Sequence, residues 1–352
     1  MVKRKKKKSN WIISRTKQQN PIKDPSSLDK LPVTYQAIMN YFGTGEVVLF
    51  PLRKETMLRI ERVTKRPLFC YVTKTRNLSP GIPAYIDDSD LVGFGDLIQS
   101  VQGDEVDIFI VSNGGSAEAT ERIVNLLRGR FKTVRFIVPA NAYSAATLMC
   151  FSGDDILMDS VATLGPIDPQ INGVPARAIQ KAFESLETRL KNEGPRALTV
   201  YMPLISKYDL HILEICKNAQ DLSEILAKEW LSFYMLKCAK DDPRISECVR
   251  FFMDYDFHKS HSRSIDRAKT REYLGSKVIN VEDIEGIAEL VRSLCNQYEF
   301  WFDRTPSFKV FENASGINWG RNSATVTIQL PGVVPPGLPP PVPQPGPPQK
   351  SD

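Results

Sequence analysis

The chain has 352 residues, 42 % of them apolar and 25 % charged, enough to bury a substantial core in one or two domains. The formal charge of +5 owes six positive charges to Lys3, Arg4 and Lys5–Lys8; subtracting six leaves −1 for the rest, so no basic stripe for specific nucleic-acid binding is expected. No run of about 18 apolar residues is present, so a membrane-spanning helix is not expected, and six scattered cysteines with no CxxC pair and only three histidines exclude an evident zinc site.

Residues 1–30 read as a basic, disordered arm, either solvated or drawn to an anionic surface or partner. A globular body is expected over 31–240. In it Leu68–Val72 reads as a buried strand and Leu91–Gln99 as a short helix. The β-rich run Val106–Val111 stops at Ser112-Asn113-Gly114-Gly115-Ser116 and is followed by a helical pattern over Ala117–Arg130. Val134–Val138 is a second strand, a short apolar helix starts near Ser144, and Ile156–Met158 is a third strand. This alternation predicts an α/β fold with a parallel sheet of βαβ units and helices packed around it. Helices are expected at Ala176–Asn192, Leu204–Ala219 and Leu222–Ala239. A helical C-terminal extension, 241–305, follows with helices near Ile245–Met253 and Val281–Phe300. A proline-rich tail, 306–352, closes the chain; ten of its prolines lie between Pro331 and Pro348.

Two loops at the carboxyl ends of neighbouring strands are candidate chemistry, since parallel sheets bind ligands in such crevices. Asn113-Gly114-Gly115 is either a tight turn or a loop that exposes a backbone N–H. In Ala142-Tyr143-Ser144-Ala145-Ala146 a serine opens a helix among small residues. Ser144 is either an N-cap or a nucleophile with the Ala145 N–H beside it.

The two loops in this order, followed by Leu164-Gly165-Pro166-Ile167-Asp168-Pro169-Gln170, resemble the serine dehydrogenase proteinase family. That family is similar to signal peptide peptidase A and to the Clp protease and crotonase superfamily. His261-Ser262-Arg263-Ser264-Ile265 is similar to the family's His-Gly-Arg-x-Ile segment, with Ser262 in place of the glycine. The resemblance covers roughly 68–300 and neither end.

It implies a Clp/crotonase-like fold and a serine peptidase that cleaves peptide bonds through an acyl-enzyme on Ser144, with oxyanion donors at Gly114 or Gly115 and at Ala145. Clp proteases place a histidine after the third strand. Here that loop holds Asp168, and no histidine precedes His211, so a Ser-His-Asp triad requires His211, His258 or His261 to fold back. Relatives of signal peptide peptidase A use a lysine on the following helix, which implies Lys181 as the base; Lys191 has a more solvated setting. Asp168 is either an orienting carboxylate or a turn residue, and His261 and Arg263 are candidates to reach the cleft, Arg263 either to hold a carboxylate or to pair with Asp168. The resemblance implies a homo-oligomer acting on a peptide or protein; that chemistry needs no cofactor or metal, and with no P-loop and no secretion signal an ATP-independent enzyme in the cytoplasm, peripheral to a membrane at most, is expected, with Lys3–Lys8 the candidate contact to an anionic surface or partner. A non-catalytic scaffold and a crotonase-like acyl-CoA enzyme are the alternatives on the same fold.

Overall fold

The computed structural model describes residues 24–43, 48–195, 197–209 and 211–323. Lys3–Lys8 and the proline cluster from Pro331 onward lie outside the described residues.

In chain order the body begins with helices α1 (Tyr35–Phe42) and α2 (Phe50–Thr64), then β1 (Leu68–Thr73) and α3 (Asp90–Gln99). Next come β2 (Glu105–Val111), α4 (Ala117–Arg130), β3 (Thr133–Val138), β4 (Asn141–Ala142), α5 (Ala145–Phe151) and β5 (Asp155–Met158). The short strands β6 (Thr163–Leu164), β7 (Gln170–Ile171) and β8 (Val174–Pro175) lead into α6 (Ala176–Glu193), α7 (Ala197–Ile205) and α8 (Ile212–Trp230). The last part holds α9 (Pro243–Met253), α10 (Tyr255–His258), β9 (Ile265–Asp266), α11 (Arg267–Leu274), β10 (Val278–Asn280), α12 (Ala288–Arg304), β11 (Ser307–Asn313) and β12 (Asn318–Asn322).

The central sheet has the order β10-β5-β3-β2-β1-β11-β12. Its first five strands are mutually parallel, and β11 and β12 add antiparallel on one side. The expected α/β class therefore holds. Strands covered on both faces need apolar side chains in both registers. In β2, Ile108 and Ile110 pack on the face with α3, α4 and α5, while Phe109 and Val111 meet Tyr298 and Val291 of α12 on the other. Asp107 interrupts that run. It is fully buried and accepts both Arg135 Nε and Nη2, at 2.9 and 2.7 Å.

Local chemistry explains the crossover helix α4. The Ser116 hydroxyl accepts the Ala119 N–H at 3.0 Å, Glu118 lies in the first turn, and Arg128 and Arg130 lie in the last. Ala119, Ile123, Val124 and Leu127 form its buried stripe.

Several expectations need correction. The helices placed at Leu204–Ala219 and Leu222–Ala239 are cut differently. α7 carries Pro203 inside it and ends before the polar stretch Ser206–Asp209, whereas no breaker stands between Ala219 and Leu222, so α8 runs through to Trp230. The last long helix starts at Ala288, not Val281, behind Gly286 with φ +81°. Nor are 241–305 an extension and 306–352 a tail from its first residue. β10 pairs with β5, and β11 with β1, so both segments complete the sheet. β11 was hidden by its charges: Lys309 and Glu312 are buried, each with a partner more than 200 residues away.

The six cysteines are unpaired; Cys238 and Cys295 are half-buried and the others buried. Burial pushes the Cys295 thiol up to about 12. Among the described residues no helix is long and apolar enough to cross a membrane.

Candidate active site

A small three-stranded sheet, β4-β6-β9, gathers the site. Ala142 of β4 pairs with Leu164 of β6, which pairs in turn with Ile265 of β9. Ser144 follows the first strand, Asp168 the second, and His261 precedes the third, so pairing of distant segments brings the three to one place. Tyr143 ties them again: its hydroxyl bonds Thr163 Oγ1 at 2.9 Å and Ser264 Oγ at 3.0 Å. The Thr147 hydroxyl of α5 donates to the Ala142 carbonyl at 2.7 Å and accepts the Gly165 N–H at 3.0 Å, which fixes the loop leading to Asp168.

Ser144 sits at φ 53°, ψ −121°, a region that residues with a Cβ rarely adopt, and its side chain makes no capping bond. Such a conformation costs about 1–3 kcal/mol and persists only where the surroundings enforce it. Here they do. Ser112 N donates to Asn141 O at 3.0 Å and Tyr143 N to Ser112 O at 2.9 Å, clamping the turn against the end of β2. The N-cap reading of Ser144 therefore fails, and its Oγ has no hydrogen bond among the described residues.

Gly114 lies against this turn. A Cβ there would stand 2.5 Å from the Tyr143 carbonyl oxygen and 2.7 Å from Ser144 Cβ, and φ is +95°. The two glycines have different duties. The Gly114 N–H donates to Ser112 Oγ at 3.1 Å and is already used. The Gly115 and Ala145 N–H groups find no acceptor among the described residues, and both residues line a cavity of about 390 Å³ together with Ser144 and His261.

His261 Nδ1 is 2.9 Å from Asp168 Oδ1. A carboxylate accepts, so Nδ1 carries the hydrogen of this bond, and in a neutral ring Nε2 would then offer its lone pair. The Asp168 side chain is 6 % exposed and that of His261 18 %, and Asp168 Oδ2 has no partner. The Asp168 carboxylate thus faces the His261 ring.

Lys181 and Arg263 are placed elsewhere. Ala176 and Ile179 form the buried side of α6, and Lys181 falls on another face, 41 % exposed, where it is ion-paired with Asp256. No lysine lines the cavity. Arg263 donates to the Phe257 carbonyl at 2.8 Å and stacks on the Phe257 ring, away from Asp168. Lys181 therefore lies outside the cavity, and Arg263 is bonded to Phe257 instead of the expected Asp168. Ser112, Tyr143 and Thr147 had no signal in the sequence beyond being short polar or aromatic residues near a turn.

The loop that delivers His261 has its own titratable group. His258 is buried; its Nε2 donates to the Phe251 carbonyl at 2.7 Å and its Nδ1 has no partner. Burial holds its pKa below the ordinary value, with Arg263 adding to the effect and the Phe251 carbonyl, Asp168 and Asp254 opposing it. The folded chain thus favours the neutral ring. As pH falls through about 6.5, the unfolded segment takes up the proton first, so stability is lost on acidification, while above that pH the group contributes nothing. The protection of 255–264 against hydrogen exchange, taken relative to the intrinsic rate at each pH, is expected to fall between pH 7 and 5.5, and His258→Gln to flatten that profile. An unchanged slope in the variant would assign the acid sensitivity to another group.

Comparison with known proteins bears on the same region. Residues 46–214, somewhat under half of the chain, match the family model described as ClpP-like SDH-type serine proteinase. Two uncharacterized proteins of Methanocaldococcus jannaschii are similar. MJ1495 is 26 % identical over 175 residues, covering 46 % of this chain and 58 % of that protein. MJ0137 is 38 % identical over 109 residues, covering 30 % and 37 %. The matches thus span well under two thirds of either relative. Among solved structures, a serine-to-alanine mutant of the 1510-N membrane-bound stomatin-specific protease is similar at 15 % identity, covering 55 % of this chain and 74 % of that one, with a TM-score of 0.34. A mutant of ClpP1 from Listeria monocytogenes is similar at 14 % identity, covering 66 % and 99 %, with a TM-score of 0.33.

Proposed function

Because residues 46–214 belong to the ClpP-like SDH-type serine proteinase family, we propose that the chain hydrolyses peptide bonds through an acyl-enzyme on Ser144, with His261 as general base, Asp168 as its orienting partner, and the Gly115 and Ala145 N–H groups as the oxyanion hole. The observation that carries this reading is the His261–Asp168 bond at the cavity that holds Ser144. Sequence favoured Lys181, and the reading departs from it because Lys181 is exposed, ion-paired with Asp256 and outside the cavity.

The steps follow from the residues. His261 Nε2 takes the Ser144 hydroxyl proton as Oγ attacks the substrate carbonyl carbon. The negative charge that develops on the carbonyl oxygen is met by the two free amides. The imidazolium, held by the Asp168 carboxylate, returns the proton to the leaving amine as the C–N bond breaks; water then repeats the cycle on the ester. The Nε2–Oγ bond is not made in the free chain. Such bonds often tighten only with substrate in place. A peptide or protein as substrate, and self-assembly of the chain, belong to the same proposal.

A fluorophosphonate probe tests it directly. The expected result is a single covalent adduct whose peptide maps to Ser144 by mass spectrometry. Absence of that adduct in the folded protein, or an adduct on another serine, would remove the nucleophile from this account.

A further inference from the structure

Next to the cavity lies a charged cluster that the chemistry above does not use, joined to the cavity lining through Tyr85. Lys309 of β11 is completely enclosed. Its Nζ donates to Asp90 Oδ1 at 2.6 Å and to the Tyr85 carbonyl at 2.8 Å, and stands 3.5 Å from Asp87 Oδ2. The other Asp90 oxygen accepts the Tyr71 hydroxyl at 2.7 Å and the Asp87 N–H at 3.2 Å. Tyr71 and Asp90 are also fully buried. Burying a lysine and a carboxylate is expensive, and an apolar pair of similar size would usually serve stability as well. What the charges add is direction: they tie a segment without regular structure, 85–89, to β1 and β11.

That segment grips the glycine loop. The Ile86 N–H donates to the Gly114 carbonyl at 2.8 Å, and the Ser116 N–H donates to the Ile86 carbonyl at 2.9 Å. In a trans peptide the C=O and the next N–H point in opposite directions. With the Gly114 carbonyl held by Ile86, the Gly115 N–H is turned away from Ile86, and a flip of this peptide would break the Ile86 bond. Gly115 has no room to retreat, since a Cβ on it would lie 2.2 Å from the Ile86 carbonyl oxygen.

We infer that Lys309 is a positioning residue for the oxyanion hole, acting through Asp90 and residues 85–87 to hold the Gly114–Gly115 peptide in the orientation that presents the Gly115 amide to the cavity. The inference rests on the proposed acyl-transfer reading for its catalytic consequence, and on the hydrogen bonds alone for its structural one. The two can fail separately.

The test uses the full chain with Lys309→Met, and with Lys309→Met/Asp90→Asn so that no buried carboxylate is left unpaired if the single variant fails to fold. Hydrogen exchange is expected to rise in 85–90 and 114–117 while 105–111 stays protected. The fluorophosphonate rate at Ser144, measured on folded protein well below the urea transition, is expected to fall about 10- to 100-fold, as for a donor displaced by a fraction of an ångström, with the shape of its pH profile kept because His261 is untouched. A brace that served only stability would lower the urea midpoint and leave that rate and the 114–117 exchange unchanged, which overturns the inference. If wild-type protein forms no Ser144 adduct, the acyl-transfer reading fails, and unchanged exchange at 114–117 still overturns the positioning role.

Discussion

Peptide hydrolysis by the His261→Ala variant is expected to fall by about four orders of magnitude, to the level left by Ser144→Ala, while Lys181→Ala stays within a few-fold of the parent chain. The asymmetry follows from where the three side chains stand. His261 reaches the cavity with its Nδ1 hydrogen committed to Asp168, so its Nε2 lone pair is available. Lys181 is 41 % exposed and already neutralises Asp256, so its loss removes a surface ion pair worth about 0–1 kcal/mol. Members of a catalytic unit do not contribute additively, and the Ser144→Ala/His261→Ala double variant should therefore be no slower than either single one. The measurement is kcat/KM on a fluorogenic peptide that the wild type cleaves, with circular dichroism to confirm folding. The opposite pattern, with His261→Ala active and Lys181→Ala inert, would reinstate the lysine.

Gly114→Ala is expected to cost about 100-fold or more in Ser144 reactivity, because two effects coincide. The backbone at φ +95° strains any residue with a Cβ, and the added carbon would press on the Tyr143 carbonyl oxygen, Ser144 Cβ and Ala145 N at 2.5, 2.7 and 2.9 Å. All three are parts of the turn that holds the nucleophile, so relief must move the site. Gly103 provides the control: φ there is +90°, and a Cβ meets nothing within 4 Å. Gly103→Ala should lower stability by about 1 kcal/mol and leave the fluorophosphonate rate unchanged. Equal losses in the two variants would mean that backbone strain, and not contact with the turn, is responsible.

These two predictions separate what local sequence encodes from what it does not. The stretch from β2 through β5 was legible because each element carries its own signal: a doubly buried apolar strand, a glycine turn, a capped helix with a 3.6-residue stripe, and a second strand ended by Pro139. The same local logic singled out Ser144, Gly114, Gly115 and Ala145. It pointed to Lys181 although helical periodicity identifies which residues share a face, and Lys181 follows Ile179 by two positions, off the buried face. It misjudged β11 because Lys309 and Glu312 make the strand look like a solvated segment until Asp90 and Arg53 are in place beside them.

The sequence by itself therefore determined the parallel α/β core and singled out the serine and glycine loops, since these signals depend on residues close in the chain, whereas the strain at Ser144 arises from contacts across the fold. Only the tertiary structure brought His261 to Asp168 and Lys309 to Asp90. His261 lies 93 residues from Asp168 in the chain and Lys309 lies 219 from Asp90. Contacts of that range arise when strands pair, as β9 does with β6 and β11 with β1, and strand pairing depends on burial across the whole sheet more than on the residues of either strand.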